Sequence, residues 1–538
     1  MVYNFNLPTT SHLSFQNYIY SNTHPSLPQA ASTARHTLRI ALKTHKRLSP
    51  RERENNLQVV LNALNEYIPY LFTINDGLSG RGIKLAGHAR GEEENIDITL
   101  KEEISVEWRP VLVFSLSSIL KSAAATGAGN GDNRLRGHGI DFEIAFVVGT
   151  LGYVLSNMAR ATVLRVLYAS TTPTADQKAA AMQNATRLLL QAGSAHTLLA
   201  RSFTMSEEVA TTQGNNVPQL NTTVQTALAS LALAEATLLA ILKDDAYTFA
   251  CIQARNPNDK EWMVRAPEIP KMRALILARL CVRSAEHAEQ ALSGLGSVGA
   301  NRNGGTIGDA AKIDEDLVKY VQNLIKVSRA KACRFFGIDA ELSDKVGEAI
   351  AWLRAGKGAL GMKRALVPEG QSAAGKTGAF SKLKKGWSDR RDERRLEKSS
   401  GNVNLGSSGI IHGDELGRGD DAGWEEEARV IEMLEAKWVK MNNTINTQPI
   451  PPSEPLLSNL PSGRDIHSAP AAYKPPSLEE SELIRMRAPP DEVDQSLSGL
   501  TLDNDSEDEV TPGSEKGLRE GFPGSRSATS DFVMSWTS

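Results

Sequence analysis

The sequence predicts a mostly α-helical protein: an elongated helical solenoid of TPR-like helical hairpins with a small N-terminal β-sheet, plus a disordered insertion and a disordered tail. Apolar residues recur three and four positions apart in long segments between residues 142 and 360, which is the spacing of amphipathic helices. Apolar and polar residues alternate near residues 96–108, as in strands. Residues 365–422 and 487–538 contain few large apolar side chains, so neither stretch is expected to form a packed core.

The N-terminal third contains both kinds of element. Ser49, Pro50 and Glu52 form a capping box with proline at the first helical position, and apolar residues at helical spacing follow as far as Ile68. Alternation then appears at residues 96–100 and 104–108, which indicates a small antiparallel sheet between helices.

The helical core is predicted over residues 142–360. Its segments are each about 20 to 30 residues long, which corresponds to roughly 30 to 45 Å as helices. Polar or glycine-rich loops separate the segments, so antiparallel hairpins with closely packed, alanine-rich faces are expected. The predicted segments are 142–171, 174–203, 220–248, 268–293, 313–336 and 342–360.

Beyond the core, the sequence predicts a disordered insertion, a helix with an extended arm, and a tail. The insertion at 365–422 is rich in Gly, Ser, Lys and Arg. A helix begins at Trp424, and a proline-rich arm continues to residue 486. The tail at 487–538 contains eleven acidic and four basic residues and is expected to be disordered. Residues 1–486 are therefore predicted to form one domain.

Charge and cysteine content exclude several classes of protein. The chain has 538 residues and a formal charge of −3, so a dedicated nucleic-acid binder is not expected and protein partners are favoured. Cys251, Cys281 and Cys333 form no close pair, which argues against a disulfide scaffold or a cysteine-rich zinc module. The N-terminus does not have the pattern of a signal peptide, so we expect a cytoplasmic protein.

Two glycine-rich motifs match nucleotide-binding patterns but lie in the wrong context. Residues 370–377 match the Walker A pattern with Lys376, yet no buried strand precedes them and a highly charged segment follows. Residues 294–299 match a dinucleotide fingerprint at the end of a helix, where a helix C-cap and loop are expected. No catalytic or metal-binding motif is present, so the sequence predicts no cofactor and no enzyme. A nucleotide-binding switch using residues 370–377 and a lipid-binding helical module remain the alternatives.

Four motifs, in order along the chain, resemble a known family. Phe142-Glu143 with Val147, Gly152 and Ser156 resembles the helix that opens the helical core of BRO domains, the endosomal scaffold module of ALIX-like proteins. Three further matches cover residues 228–236 (the L-x-x-L-x-L-A-E-A helix), 345–353 (the later G-x-x-I-A-x-L helix) and 443–475 (the extended arm).

The chain also resembles one branch of that family, the fungal pH-response regulators of the PalC type. The similar residues are 5–11, 24–28, 243–245 and 258–262, and the chain has only a short acidic tail after residue 486. This resemblance implies a non-catalytic adaptor in alkaline ambient-pH signalling, which supports proteolytic activation of the transcription factor PacC. The implied partners are the C-terminal amphipathic helix of an ESCRT-III filament subunit and components of a pH-sensing membrane complex. The implied location is the cytoplasm, with recruitment to endosomal or plasma-membrane sites and peripheral membrane association through partners.

The family's partner-binding patch lies at the end of the L-A-E-A helix and in the helix that follows. Its first position, an aromatic residue in ALIX-type proteins, corresponds to Ala240. The apolar residues Leu239, Leu242, Phe249 and Ile252 are therefore predicted to form the patch, on which a partner helix would lay its apolar face. Leu239 and Leu242 are equally compatible with a role in the core.

Overall fold

The computed structural model describes residues 2–84, 93–114, 134–169, 171–202, 218–253, 271–297, 312–362 and 420–489. By their contacts, Met1–Ala488 form one unit and Pro489–Ser538 form another. The fold below is that of the described residues of the first unit.

Twelve α-helices lie in the described part of the chain. They are α1 (Leu27–Arg47), α2 (Pro50–Leu78), α3 (Ile140–Leu167), α4 (Ala175–Ser202), α5 (Thr222–Asp244), α6 (Ala246–Gln253), α7 (Lys271–Ser297), α8 (Glu315–Glu341), α9 (Val346–Ala359), α10 (Trp424–Met441), α11 (Glu454–Ser458) and α12 (Glu480–Met486).

The strands are short and pair antiparallel. They are β1 (Thr9–Thr10), β2 (Ile19–Tyr20), β3 (Ile83–Lys84), β4 (Glu93–Glu94), β5 (Thr99–Leu100), β6 (Ser105–Arg109), β7 (Val113–Phe114), β8 (Leu135–His138) and β9 (Lys312–Ile313). The largest sheet has the order β1-β6-β8, with Thr10 opposite Trp108 and Val106 opposite Gly137. Trp108 is fully buried, because its face of the sheet packs against the helices.

The long helices pack in chain order. α3 contacts α4, α4 contacts α5, α5 contacts α7, α7 contacts α8, and α8 contacts α9. Helix α10 then returns and packs on α8, α9 and α6. The predicted fold class, mostly helical with a small antiparallel sheet near the N-terminus, is confirmed.

Side-chain caps fix where several helices begin. At α2 the Ser49 amide donates to Glu52 Oε2 at 3.0 Å, which completes the predicted capping box. At α5 the Asn221 side chain accepts from the amide of Thr223 at 2.9 Å. These bonds satisfy amide groups that have no partner within the first turn of a helix.

A buried carboxylate joins the N-terminal elements to the helical core. Glu143 of α3 accepts hydrogen bonds from Arg35 Nε at 2.8 Å, Tyr67 Oη at 3.0 Å and Trp108 Nε1 at 2.6 Å. The donors come from α1, α2 and β6, and all four side chains are buried. The carboxylate is therefore both charge-compensated and fully hydrogen-bonded, which a buried charge requires.

The N-terminal segment lies inside the helical core. Asn157 of α3 bonds the Phe5 backbone twice, accepting from its amide at 2.8 Å and donating to its carbonyl at 2.7 Å. Arg160 Nη1 donates to the carbonyl of Val2 at 2.6 Å, and Val2 is buried. Residues 2–5 thus fill space between helices far away in sequence.

Two helices in the described ranges, α3 and α5, are long and apolar enough to cross a membrane. Most of the apolar window of each, 94% and 83% respectively, is buried inside the protein. This burial agrees with the prediction that the segments 142–171 and 220–248 belong to the helical core.

The structure changes three predicted boundaries. The segment 220–248 is not one helix, because α5 ends at Asp244 and α6 begins at Ala246. Residues 420–422, placed at the end of the insertion, are ordered: Asp420 pairs with Arg160 and Ala422 is buried. The tail was predicted to begin at residue 487, but the packed part of the chain extends to Ala488, whose amide donates a hydrogen bond to the carbonyl of Thr23 at 2.8 Å. The rest of the predicted insertion, with the Walker-like residues 370–377, and the tail from residue 490 lie outside the described residues.

Candidate partner-binding site

The junction between α5 and α6 is set by Asp245. Its Oδ1 accepts the Thr248 amide at 3.2 Å and its Oδ2 accepts the Thr248 hydroxyl, so the side chain caps the start of α6. These hydrogen bonds from the Thr248 amide and hydroxyl to the Asp245 carboxylate compete with the backbone hydrogen bonds that would continue α5. The sequence shows a continuous apolar pattern here, and this local competition is the reason that the predicted single helix is divided.

Asp245 also belongs to a buried cluster of four charged side chains. Arg334 of α8 donates to Asp245 Oδ1 at 3.1 Å and, through Nε, to Glu427 Oε1 at 2.6 Å. Lys331 Nζ lies 2.8 Å from Glu427 Oε2 and 3.4 Å from Asp245 Oδ2. Two positive charges therefore balance two negative ones, and the cluster ties α6 to α8 and α10.

The pKa values of the cluster follow from this arrangement. Burial alone would raise the pKa of the Asp245 carboxyl, but the charges of Arg334 and Lys331 outweigh burial and hold that pKa below its ordinary value. Burial would lower the pKa of Lys331, but Glu427 and Asp245 reverse that effect and raise it. The carboxylates of Asp245 and Glu427 raise the pKa of Arg334 as well, so Asp245, Lys331 and Arg334 stay ionised near neutral pH and anchor the start of α6.

The four residues predicted to form the partner patch lie mostly in the core. Leu239, Leu242 and Phe249 are at most 5% exposed, and Ile252 is half-buried. The ring of Phe249 is further covered by Lys178 of α4, whose Nζ lies 4.0 Å from the ring centroid. Helical periodicity could not distinguish a leucine in the core from a leucine on a partner-binding surface, because both have the same spacing along the helix. Their role in partner binding stays a prediction.

A cleft of about 610 Å³ opens beside this patch, on another face of α5. Ala240, Lys243 and Asp244 from the last turns of α5 line one side, and α4 lines the opposite side. The C-terminal arm forms the third wall. The lining residues are Met182, Gln183, Thr186, Arg187, Leu190, Gln191, Ser194, Ala240, Lys243, Asp244, Ile466, His467, Ser468, Ala469, Pro470 and Ala471.

The arm is fixed on both sides of the cleft. Before it, the amide of Arg464 donates to the carbonyl of Arg279 at 3.1 Å, and Asp465 pairs with Arg283 at 2.6 Å. After it, the amide of Tyr473 donates to the carbonyl of Ser194 at 3.0 Å. At Gly193 an added Cβ would lie 3.1 Å from Pro470 Cγ, so α4 has a glycine where the arm passes closest.

The cleft combines apolar walls with a charged rim. Leu190 of α4 and Ile466 of the arm supply apolar surface, and Ile466 is 50% exposed. Lys243 is exposed at the rim, while Asp244 pairs with Arg273 at 3.3 Å. An apolar floor with a polar rim can accept the apolar face of an amphipathic segment and hold its polar face in water.

Neither a metal site nor a reactive thiol appears among the described residues. In those ranges no group of three or more His, Cys, Asp or Glu side chains is placed to hold a metal ion. Burial raises the pKa of Cys251 and of Cys333 to about 12 and also raises that of Cys281. Buried thiols of this kind behave as small apolar side chains.

Comparison with known proteins gives one close sequence relative. No protein-family model matches the chain. The pH-response regulator protein palC of Emericella nidulans is 50% identical over 530 residues, which cover 97% of this chain and 99% of that protein. Among solved structures, one described as "Structure basis for endosomal targeting by the Bro1 domain" is 12% identical, with a TM-score of 0.45 over 88% of this chain and 93% of that one. A score below 0.5 does not establish a shared fold, so the sequence relative alone carries weight for function.

Proposed function

The chain belongs to the family of the pH-response regulator protein palC, and from this premise we propose that it is a non-catalytic adaptor in alkaline ambient-pH signalling. The observation that carries the proposal is 50% identity across nearly the full length of both proteins. The relationship agrees with the family resemblance inferred from the sequence motifs. The adaptor would act in the cytoplasm and be recruited to endosomal or plasma-membrane signalling sites.

The proposed partner is the C-terminal amphipathic helix of an ESCRT-III filament subunit, and the proposed binding site is the cleft. Ala240, the position that corresponds to the family's first patch residue, lines this cleft. Leu239 and Leu242 would contribute indirectly, because they are buried and hold the end of α5 in place. Half-buried Ile252 is the predicted patch residue most accessible to a partner. Recruitment of this kind would link a pH-sensing membrane complex to proteolytic activation of PacC.

The test is calorimetric titration of the full chain with a peptide of that ESCRT-III helix. Ile466→Asp should weaken binding at least about tenfold, because a charge would replace an exposed apolar contact at the cleft. The matched control is Ile445→Asp: Ile445 is 75% exposed and is not among the residues lining the cleft, so this change should leave binding unaltered. Leu242→Asp is unsuitable as a probe, because a charge at that buried site would disturb the fold itself.

Two outcomes would contradict different parts of the proposal. Equal affinity in Ile466→Asp and the wild type would remove the binding site from the cleft. No binding by the folded wild type would rule out the ESCRT-III helix as partner, while membership of the family would stand on the sequence identity.

A further inference from the structure

The outward face of α1 carries bases and one exposed apolar residue. Helix α1 contains no Asp or Glu from Leu27 to Arg47. His36, Ile40 and Arg47 are exposed, and Ile40 is 50% exposed. They lie four and seven positions apart, which places them in one stripe over roughly 16 Å of helix.

The inward face of the same helix makes the contacts that pack α1 against the rest of the protein. Leu38 and Leu42 are fully buried, and Arg35 is the base that pairs with Glu143. Arg47 is exposed on the outer face and Arg39 lies half-buried at its edge, and neither has an ion-pair partner among the described residues. Their charges are therefore not explained by packing.

The helix macrodipole explains only part of this charge. Bases in the last turn of a helix are favoured by the partial negative charge of its C-terminus, which accounts for Lys46 and Arg47. Arg39 lies two turns earlier, where that effect has faded. At the helix end, Arg53 of α2 donates through Nη2 to the carbonyl of Lys46 at 2.9 Å and so adds a further base beside the stripe.

We propose that the outward face of α1 docks the protein on an anionic phospholipid surface. Charge complementarity identifies the occupant: a row of long basic side chains around one exposed isoleucine matches a negatively charged lipid–water boundary. Arginine and lysine stems extend toward the headgroups while the apolar side chain enters the acyl boundary. This inference does not depend on the ESCRT-III partner.

Vesicle flotation with the full chain tests the proposal. The chain should bind vesicles of phosphatidylcholine with phosphatidylserine, should not bind phosphatidylcholine alone, and should dissociate at high salt. The variant Arg39→Gln with Arg47→Gln should lower the partition coefficient about 25-fold, since each base near such a surface contributes about fivefold. Ile40→Gln should lower it about fivefold.

The matched control neutralises two exposed bases on α8, Lys319→Gln with Lys326→Gln, and should leave vesicle binding nearly unchanged. Absence of binding to phosphatidylserine vesicles by the wild type would overturn the proposal. So would equal binding by the Arg39 and Arg47 variant, which would move the contact to another basic segment such as the Lys- and Arg-rich insertion at 365–422. Binding of an acidic polyglutamate peptide without vesicle binding would assign the face to an acidic protein instead.

Discussion

At the scale of single residues, Glu235 shows how the core accommodates an acid. Its Oε1 accepts both the Tyr3 amide and the Tyr320 hydroxyl at 2.8 Å, and the side chain is buried. Burial raises the pKa of this carboxyl to about 7, although the two hydrogen bonds and nearby positive charges partly oppose the rise. Glu235 therefore binds the N-terminal segment through the Tyr3 amide, and burial makes ionisation of its carboxyl group unfavourable.

The raised pKa predicts a pH-dependent stability. Between the unfolded pKa near 4.5 and the folded pKa near 7, the folded state holds a proton that the unfolded state has lost, so the free energy of unfolding falls as pH rises through that range. Glu235→Gln keeps an acceptor oxygen but cannot ionise. We expect the wild type's free energy of unfolding to fall relative to that of the variant by about 2 kcal/mol as pH rises from about 5 to about 8. Urea unfolding of both proteins across this pH range measures the difference. Identical pH profiles would show that Glu235 titrates normally.

At the scale of elements, buried charges and close backbone contacts determine how helices meet. The cluster of Asp245, Lys331, Arg334 and Glu427 joins α6, α8 and α10, and all four side chains are buried. The beginning of the C-terminal arm is held in a different way, by backbone packing against α9. We expect substitutions at these two contacts to have different effects on stability.

Removing one base from the buried cluster should be severe. Arg334→Met leaves Asp245 and Glu427 under-compensated and should destabilise the chain by about 3 to 5 kcal/mol in denaturant titration. Arg329→Met on the same helix removes a half-exposed ion pair with Glu289 and should cost less than about 1 kcal/mol. Similar losses in the two variants would contradict the structural role given to the cluster.

Two glycines of α9 should respond in opposite directions to alanine. At Gly347 an added Cβ would lie 2.3 Å from the carbonyl oxygen of Pro449, so Gly347→Ala should displace the arm and cost about 1 to 3 kcal/mol. At Gly358 nothing lies within 4 Å, so Gly358→Ala should stabilise the helix by roughly 0.5 to 1 kcal/mol. Differential scanning calorimetry of the two variants makes the comparison, and a stabilised Gly347→Ala would refute the contact.

At the scale of the whole molecule, the sequence predicted what repeats along the chain and missed what is brought together from afar. Long apolar periods located the core helices, and the capping box at Ser49 located the start of α2. The partner patch was harder, because Leu239 and Leu242 have the spacing of any amphipathic helix and the structure buries them. The cleft could not be predicted, since Lys243 meets Ile466 only through an arm more than 200 residues later.

The same limit applies to charge. Asp245 and Glu427 look like ordinary surface acids in the sequence, and only the fold places Arg334 between them. Pairings of this kind depend on three-dimensional proximity, which no local pattern encodes. The family resemblance succeeded because it rests on several motifs in order along the chain.

The central claim is that this adaptor binds its partner helix in the cleft, and hydrogen–deuterium exchange tests it most directly. The full chain would be compared with and without the ESCRT-III peptide. We predict that exchange slows in residues 182–194, 240–244 and 466–471, the three segments that line the cleft, and stays unchanged along α9. Protection confined to other helices, with these three segments unaffected under saturating peptide, would contradict the account.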